Sequence, residues 1–529
     1  MSTQTKTPTP AHSPPRAENR RNRPWPALIA VAFGLFMVGL DGSIVSIANP
    51  EIGRDLNAGT AGLQWVTNAY LLALAASLIL GGKLGDRFGR RTYYLIGVAG
   101  FTVASVAIGL SGSIGGVIAF RAAQGFFGGL LMPNTLGILR AVFPPRKFGM
   151  AVGIWAMVSS VSTALGPIAG GLLVEHVNWE SVFYVNAPIG IIALVVSALV
   201  LPQSKSSTGH HRFDIPGIVL LAAGLVVMVF GVVKGETWGW GSAATLGTIA
   251  AGIAVLIVFG WYETRIEHPL LPMRLFRNSA LTIGTVLTAV NFFVLLGSIF
   301  YVMLYLQNVR GYTPVMAGVL TLPLSLASVV ASPLGAALTD RFGPRLTMPL
   351  GMVLQALASF GLLLLDTDSP YAVMWPSFIL LGLGVGMIMA ASSEAIVGNA
   401  PVKDAGVAGG LQATALQVGG ALGTSVLVSL ISSRAGSTLY EALTGAGVPA
   451  PVATGLQEAK DAVAMGVAPV SDTMPGQVRT AVVEGAGQAF INGLHVAALT
   501  TAILCLVAAV VAVVGVRRGA SPTEGVAAH

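Results

Sequence analysis

Apolar and polar residues are distributed along this chain in long blocks, not in short periods. A membrane span needs about 20 consecutive apolar residues. Fourteen runs reach that length, at 25–49, 62–82, 92–111, 114–138, 149–173, 181–201, 215–234, 242–262, 280–306, 315–338, 346–365, 371–395, 405–431 and 493–516. The predicted fold is an all-α integral membrane protein with fourteen transmembrane helices. The third and fourth runs join closely enough to form a hairpin. The seventh is followed by Gly235-Glu236-Thr237-Trp238-Gly239-Trp240, an aromatic loop suited to a membrane interface. The first apolar run is too long for a signal-peptide core and lacks a convincing cleavage site, so it is expected to be retained.

A basic turn, Gly82-Lys83-Leu84-Gly85-Asp86-Arg87-Phe88-Gly89-Arg90-Arg91, separates the second and third runs. A weaker copy, Ala336-Ala337-Leu338-Thr339-Asp340-Arg341-Phe342-Gly343-Pro344-Arg345, separates the tenth and eleventh. Two such copies signal an internal repeat. Asp86 and Asp340 are 254 residues apart. Six short-looped helices occupy roughly 180–200 residues, which leaves room for one extra helical pair at 215–262. The expected organisation is a disordered tail over 1–24, rich in Pro and Arg, and a six-helix bundle over 25–201. Two inserted helices with linkers follow over 202–279, then a second six-helix bundle over 280–517, and a disordered tail over 518–529. The second bundle contains one long outer loop, 432–492. Two Ala-rich stretches of that loop, Pro451 to Met465 and Pro475 to Phe490, are each expected to form a short helix begun by its Pro, giving an outer helical hairpin.

Charge settles orientation. With the N-terminus cytoplasmic, one set of loops and both tails carry 22 of the 29 Lys and Arg residues. The opposite side carries Arg54, Lys234, Arg310, Arg434, Lys460 and Arg479, and Arg121 lies inside a helix. Both termini are therefore expected in the cytoplasm. Only 10% of residues are charged, against roughly 25% in soluble proteins. The basic residues are dispersed through short loops, which argues against a nucleic-acid partner. The single cysteine, Cys505, excludes an intramolecular disulfide framework, and no Cys/His cluster has metal-ligand spacing. There is no nucleotide-binding P-loop and no nucleophile–base constellation. The chain reads as no enzyme and needs no cofactor.

Asp41 is the first candidate for chemistry. It lies sixteen residues beyond Trp25, roughly 24 Å along a helix and so in the outer half of an approximately 30 Å apolar core. A carboxylate there is costly and functional by default. A group that gains and loses a proton on alternate sides of a membrane is what proton coupling requires. Arg121 enters the fourth run from outside and reaches a similar depth, with Gln124 one turn on and placed to hold it. The alternative is a structural role for both. Gly166-Pro167 with Gly170-Gly171 makes a small, bendable seam in the fifth run. Gly82, Lys83, Asp86, Arg87, Gly89 and Arg90, with Asp340 and Arg341, form a candidate conformational latch, beside their role as topology signals. Trp65, Tyr70, Gln124, Asn291, Tyr301, Tyr305 and Glu394 are tentative cavity residues. Glu394 and Glu263 are expected at the cytoplasmic rim.

These residues together resemble the major facilitator superfamily, and in particular the fourteen-helix drug:proton antiporters. The resemblance covers nearly all of 25–517. The turn at 82–91 is similar to the signature between the second and third helices. Arg121-Ala122-Ala123-Gln124-Gly125 resembles the fourth-helix motif whose Arg is linked to proton transfer. Gly166-Pro167 with Gly170-Gly171 resembles the antiporter motif. Leu40-Asp41-Gly42-Ser43-Ile44-Val45 through Pro50 resembles the first-helix motif, although Ser46 stands where Asn is usual and Asn49 where Leu is usual. Gln64-Trp65 and Asn186-Ala187-Pro188-Ile189-Gly190 are also family-like. Ala336 replaces the usual Gly of the second turn, and Glu180 and Ser181 replace an Arg and an aromatic. The resemblance implies an inner-membrane, monomeric exporter of lipophilic, often cationic drugs or antibiotics. It would be driven by the proton-motive force and would confer resistance. The rival expectations are a proton-linked symporter for uptake of a metabolite and a membrane receptor that transports nothing.

Overall fold

The computed structural model describes residues 24–58, 60–202, 214–239, 241–267, 269–471 and 474–516. The expected disordered tails lie outside these residues, apart from Pro24. The long helices in chain order are α1 (Pro24–Asp55), α2 (Thr60–Phe88), α3 (Arg90–Gly109), α4 (Ile114–Val142), α5 (Pro145–His176), α6 (Asn186–Val200), α7 (Ile215–Trp238), α8 (Ala243–Glu263), α9 (Ser279–Leu304), α10 (Pro314–Phe342), α11 (Pro344–Leu362), α12 (Tyr371–Ser393), α13 (Ala405–Gly445) and α14 (Gly476–Gly515). Thirteen spans among the described residues are long and apolar enough to cross a bilayer. α11 is not among them, because its 19 residues include Arg345 and the buried Gln355.

The repeat is visible in packing. α1 packs on α5, α2 and α3 on α4, and α3 on α6. In the same pattern α9 packs on α13, α10 and α11 on α12, and α11 on α14. α11 thus takes the place that α3 takes in the first bundle. α7 packs on α2 and on α13, so it touches both bundles, with Phe230 lying 6.1 Å from the Trp65 ring. α8 covers α7 and turns Leu246, Ile253, Ile257 and Trp261 outward.

Several boundaries differ from expectation. The basic turns are almost entirely helical: α2 continues through Phe88, and only Gly89, at φ 112°, breaks the path into α3. Gly343, at φ 78°, does the same between α10 and α11. Both sit in the left-handed region that glycine adopts without steric cost, so one residue suffices for the reversal. The sixth run is split into a short turn, Ser181–Tyr184, and α6.

The outer loop is also shorter than expected. α13 runs on to Gly445, and Pro475 opens α14 instead of a separate short helix. The first Ala-rich stretch does form short helices, Ala450–Gly455 and Lys460–Ala464. α13 has 41 residues, roughly 60 Å, or about twice the apolar thickness of a bilayer. The projecting ends stay helical because they bury their own small core of Leu439, Leu443, Val448, Ala453, Val463, Val482, Ala486 and Ala489. Sequence hydropathy missed this because these residues are interspersed with polar ones.

The two bundles meet along α2–α13 and α5–α10. Their closest approaches lie toward the face that carries the basic turns. A Cβ on Gly82 would fall 2.1 Å from the Gly406 carbonyl oxygen, and one on Gly153 would fall 3.1 Å from the Ser332 carbonyl oxygen. Backbone therefore lies against backbone, as small residues allow between membrane helices.

Two outcomes follow from this packing. Gly82→Val overpacks the seam by about 1–3 kcal/mol. A cysteine placed at the buried Ala405, in a Cys505→Ala background, then reacts with a water-soluble maleimide about tenfold faster than without the Val. Leu443→Ala removes a fully buried side chain from the outer core and costs that unit about 2–5 kcal/mol. Amide exchange over 476–490 speeds up accordingly, while protection in α2 and α4 is unchanged.

Candidate functional site

The first bundle encloses one charged cluster. Asp41 of α1 has no accessible surface, and Arg121 of α4 is 2% exposed. Arg121 Nη1 donates to Asp41 Oδ2 at 2.7 Å and to Gln124 Oε1 at 2.7 Å. Gln124 Nε2 donates to Asp41 Oδ1 at 2.9 Å, and Asn186 Nδ2 donates to the same oxygen at 2.8 Å. Arg121 Nε donates to the Val66 carbonyl at 3.2 Å, and its guanidinium lies 4.1 Å from the centre of the Tyr70 ring. Asn186 also donates to Ser105 Oγ, whose hydroxyl donates to the Phe183 carbonyl.

Local sequence explains how these groups converge. Arg121 and Gln124 are three apart, so they share a face of α4. The break at Val185 sets Asn186 at the first position of α6, where its side chain turns inward toward α1 and α3. A buried ion pair is tolerated when hydrogen bonds satisfy its remaining atoms, and here α2, α4 and α6 supply them. Asp41 accepts three donors in all.

Asn186 and Ser105 carry as much of this geometry as Gln124 does. Sequence reasoning noted Asn186 only within a family-like stretch and did not single out Ser105. The two lie 81 residues apart in sequence, so only the fold joins them.

The glycine–proline segment packs on α1 just beside Asp41. A Cβ on Gly166 would lie 1.8 Å from Ser43 Oγ, and one on Gly170 would lie 2.9 Å from Ile44 Cγ1. Nothing lies within 4 Å of the corresponding position on Gly171. α5 is helical throughout Pro145–His176, including Pro167.

The first basic turn clasps the second bundle. Asp86 Oδ1 and Oδ2 accept from the backbone N–H groups of Gly406 and Val407, each at 3.0 Å, at the start of α13. Arg90 Nε donates to Asp86 Oδ1 at 2.7 Å and Nη1 to the Gly137 carbonyl at 2.9 Å, while Nη2 reaches the Val402 carbonyl. A carboxylate at a helix N-terminus meets unpaired N–H groups and a favourable dipole. Lys83 Nζ donates to the Pro269 carbonyl at 2.6 Å. The Arg87 guanidinium lies 5.1 Å from the Phe88 ring, and that of Arg341 lies 5.3 Å from the Phe342 ring.

Six of the seven tentative cavity residues are buried in this conformation: Tyr70, Gln124, Asn291, Tyr301, Tyr305 and Glu394. Trp65 is half-buried beside Phe230. Tyr70 and Gln124 belong to the charged cluster. Asn291 accepts from Gln355 inside the second bundle, Tyr301 donates to Ser298 Oγ at 3.1 Å, and Tyr305 donates to the Asp366 carbonyl at 2.6 Å. Span depth alone could not reveal these inward partners. Glu394 and Glu263 are not at an open rim. Glu394 lies between the bundles, and Glu263 is 2% exposed, its Oε2 accepting from the Leu271 N–H at 2.9 Å. The chain returning after α8 covers it.

The comparisons agree with this architecture. The chain is 45% identical over 514 residues to the "Tetracenomycin C resistance and export protein" of Streptomyces glaucescens, covering 97% of this chain and 95% of that one. It is 32% identical to the "Multidrug efflux pump LfrA" of Mycolicibacterium smegmatis, covering 97% and 99%. Its fold resembles the crystal structure of the proton:xylose symporter XylE, with a TM-score of 0.62 at 14% identity over 94% of this chain and 97% of that one. The Major Facilitator Superfamily pattern matches residues 31–424. With that match, the repeated six-helix packing and relatives along almost its whole length, the chain is a multi-pass membrane transport protein and belongs to the Major Facilitator Superfamily.

Proposed function

We propose that this protein exports lipophilic small molecules, antibiotics among them, across the cytoplasmic membrane in exchange for protons, and that this export confers resistance. The observation that carries the reading is the enclosed Asp41–Arg121–Gln124–Asn186 cluster, a titratable carboxyl held away from water in the half of the molecule remote from the basic turns. The full-length likeness to a tetracenomycin C exporter and a multidrug efflux pump supports export as the direction. The distribution of Lys and Arg supports cytoplasmic termini, which places the basic turns on the cytoplasmic face.

On this reading the bundles rock about a central cavity. The present conformation is joined at the basic face, which on this reading leaves access from the other side. A proton from that side reaches Asp41, displaces one of its donors and loosens α1 against α4 and α6. The change travels through the α1–α5 seam at Gly166 and Gly170 to the contacts between bundles. Asp86 and Arg90, bound to the start of α13, act as a latch that must release before the basic face opens. Asp41 offers no surface to a substrate in this conformation, so selection rests on apolar contact more than on attraction of a cation. The chain works as a monomer with the proton gradient as its energy source, and it has no nucleic-acid partner.

The test is substrate-evoked proton movement in inverted vesicles, using a panel of aromatic antibiotics and lipophilic dyes. At least one compound dissipates the acid-inside gradient with the wild-type protein, and Asp41→Asn abolishes that response. A mutant that responds like wild type would falsify the assignment of Asp41, and a compound that moves with its protons in the same direction would replace export by symport. Arg121→Ala leaves Asp41 buried and unpaired. Thermal unfolding in detergent then shows a loss of about 3–5 kcal/mol, together with loss of the proton response.

A further inference from the structure

The second basic turn is built differently from the first. Asp86 is satisfied by the start of α13, whereas Asp340, at the matching place in α10, is exposed and lies beside Gly149 of α5. A Cβ on Gly149 would sit 2.9 Å from Asp340 Oδ1 and 3.3 Å from Glu394 Oε2. Two carboxyl groups of the second bundle therefore converge on one bare point of the first. Glu394 is 9% exposed, and its Oε2 has no hydrogen-bond partner among the described residues.

Glu394 is set in place by a π-helical turn, Glu394–Gly398, that ends α12. Such turns are rare and recur at functional sites. Gly284 of α9 packs against this turn, and its last carbonyl, that of Gly398, accepts from Arg140 Nη2 of α4 at 2.8 Å. The charges acting on Glu394 are Asp340 on α10 and Arg140 on α4. α5 meets it through Gly149 and Phe148, while Lys147 is exposed.

An ionised oxygen enclosed without a donor, next to a second carboxylate, is strongly disfavoured. A protonated carboxyl in the same place is not. Closing the seam lays Gly149 over Glu394, so the seam closes on a protonated side chain. Parting the bundles at this face lets water reach Glu394, and its proton leaves to that side. We propose that Glu394, with Asp340 as its repelling neighbour, is a second proton-carrying group, separate from Asp41, that locks the basic face: it holds a proton while that face is closed and releases it to water when the face opens. The O–H bond of Glu394 breaks and water takes the proton; no other bond changes. The inference deepens the export reading and rests on it, because it assigns proton release to the end of the molecule opposite Asp41.

The sign of the linkage is fixed. The closed state binds one more proton than the open state, so low pH favours closure and rising pH favours opening. The test is pulsed EPR in nanodiscs between pH 5 and pH 9, with spin labels on cysteines at the exposed positions Ala141 and Leu346 in a Cys505→Ala background. In the wild-type protein the longer-distance population grows as pH rises. In Glu394→Gln that growth is lost and the short distance persists throughout. In Asp340→Asn, which removes the repelling charge from the enclosed site, the growth with pH is smaller than in the wild-type protein. This second variant also guards against a folding defect in the first. Asp41→Asn keeps the titration. A Glu394→Gln protein that titrates like wild type, or a wild-type protein that does not titrate, overturns the lock. A wild-type protein that titrates here yet moves no protons with any substrate overturns the export reading and leaves the lock standing.

Discussion

A carboxylate and a guanidinium removed from water together must find every partner inside the protein. Asp41 and Arg121 find theirs on four helices: Val66 and Tyr70 on α2, Ser105 on α3 by way of Asn186, Gln124 on α4, and Asn186 on α6. The cluster thereby fixes how those helices stand relative to one another, and α5 is pressed onto α1 beside it at Gly166. The second bundle repeats the packing plan around neutral polar groups. There Gln355 joins Asn291 and Cys505, and Thr501 joins Ser359. One plan thus serves two purposes, with an ion pair at the centre of the first bundle and amides, hydroxyls and a thiol in the matching place of the second.

The contact between bundles follows a different rule. Gly82, Gly406 and Gly153 bring backbone against backbone and leave little room for side chains, while Gly149 lies against two carboxyl groups. The polar groups admitted there are therefore few and specific. Asp86 meets two N–H donors, and Arg90 reaches three acceptors across four elements. The two turns resemble each other in sequence, yet one is saturated with donors and the other is not. That asymmetry arises from the partners, α13 and α5, and not from the turns themselves.

Much of this was legible in the chain before any fold was known. Run length alone located fourteen helices, because a bilayer sets a minimum span that sequence displays directly. Equal depth along two helices placed Asp41 and Arg121 at one level, and the structure brings them to 2.7 Å. What sequence could not convey was direction around each helix. Tyr301, Tyr305 and Asn291 looked like lining residues because polarity in an apolar run marks importance, and it does not say which way a side chain points. Glu394 and Glu263 looked peripheral because counting residues measures depth and ignores what the chain lays over the rim. The outward extensions of α13 and α14 escaped because hydropathy detects lipid-facing surface, whereas Leu439, Leu443 and Val482 are buried by other protein.

α13 is unbroken from Ala405, at the contact with Asp86, to Gly445, in the outer core. It is therefore a stiff lever roughly 60 Å long. A tilt of ~10° about its inner end swings its far end through ~10 Å by the same geometry. On the proposed reading the outer projection moves with the contact at Asp86, so whatever grips that projection from outside also restrains that contact.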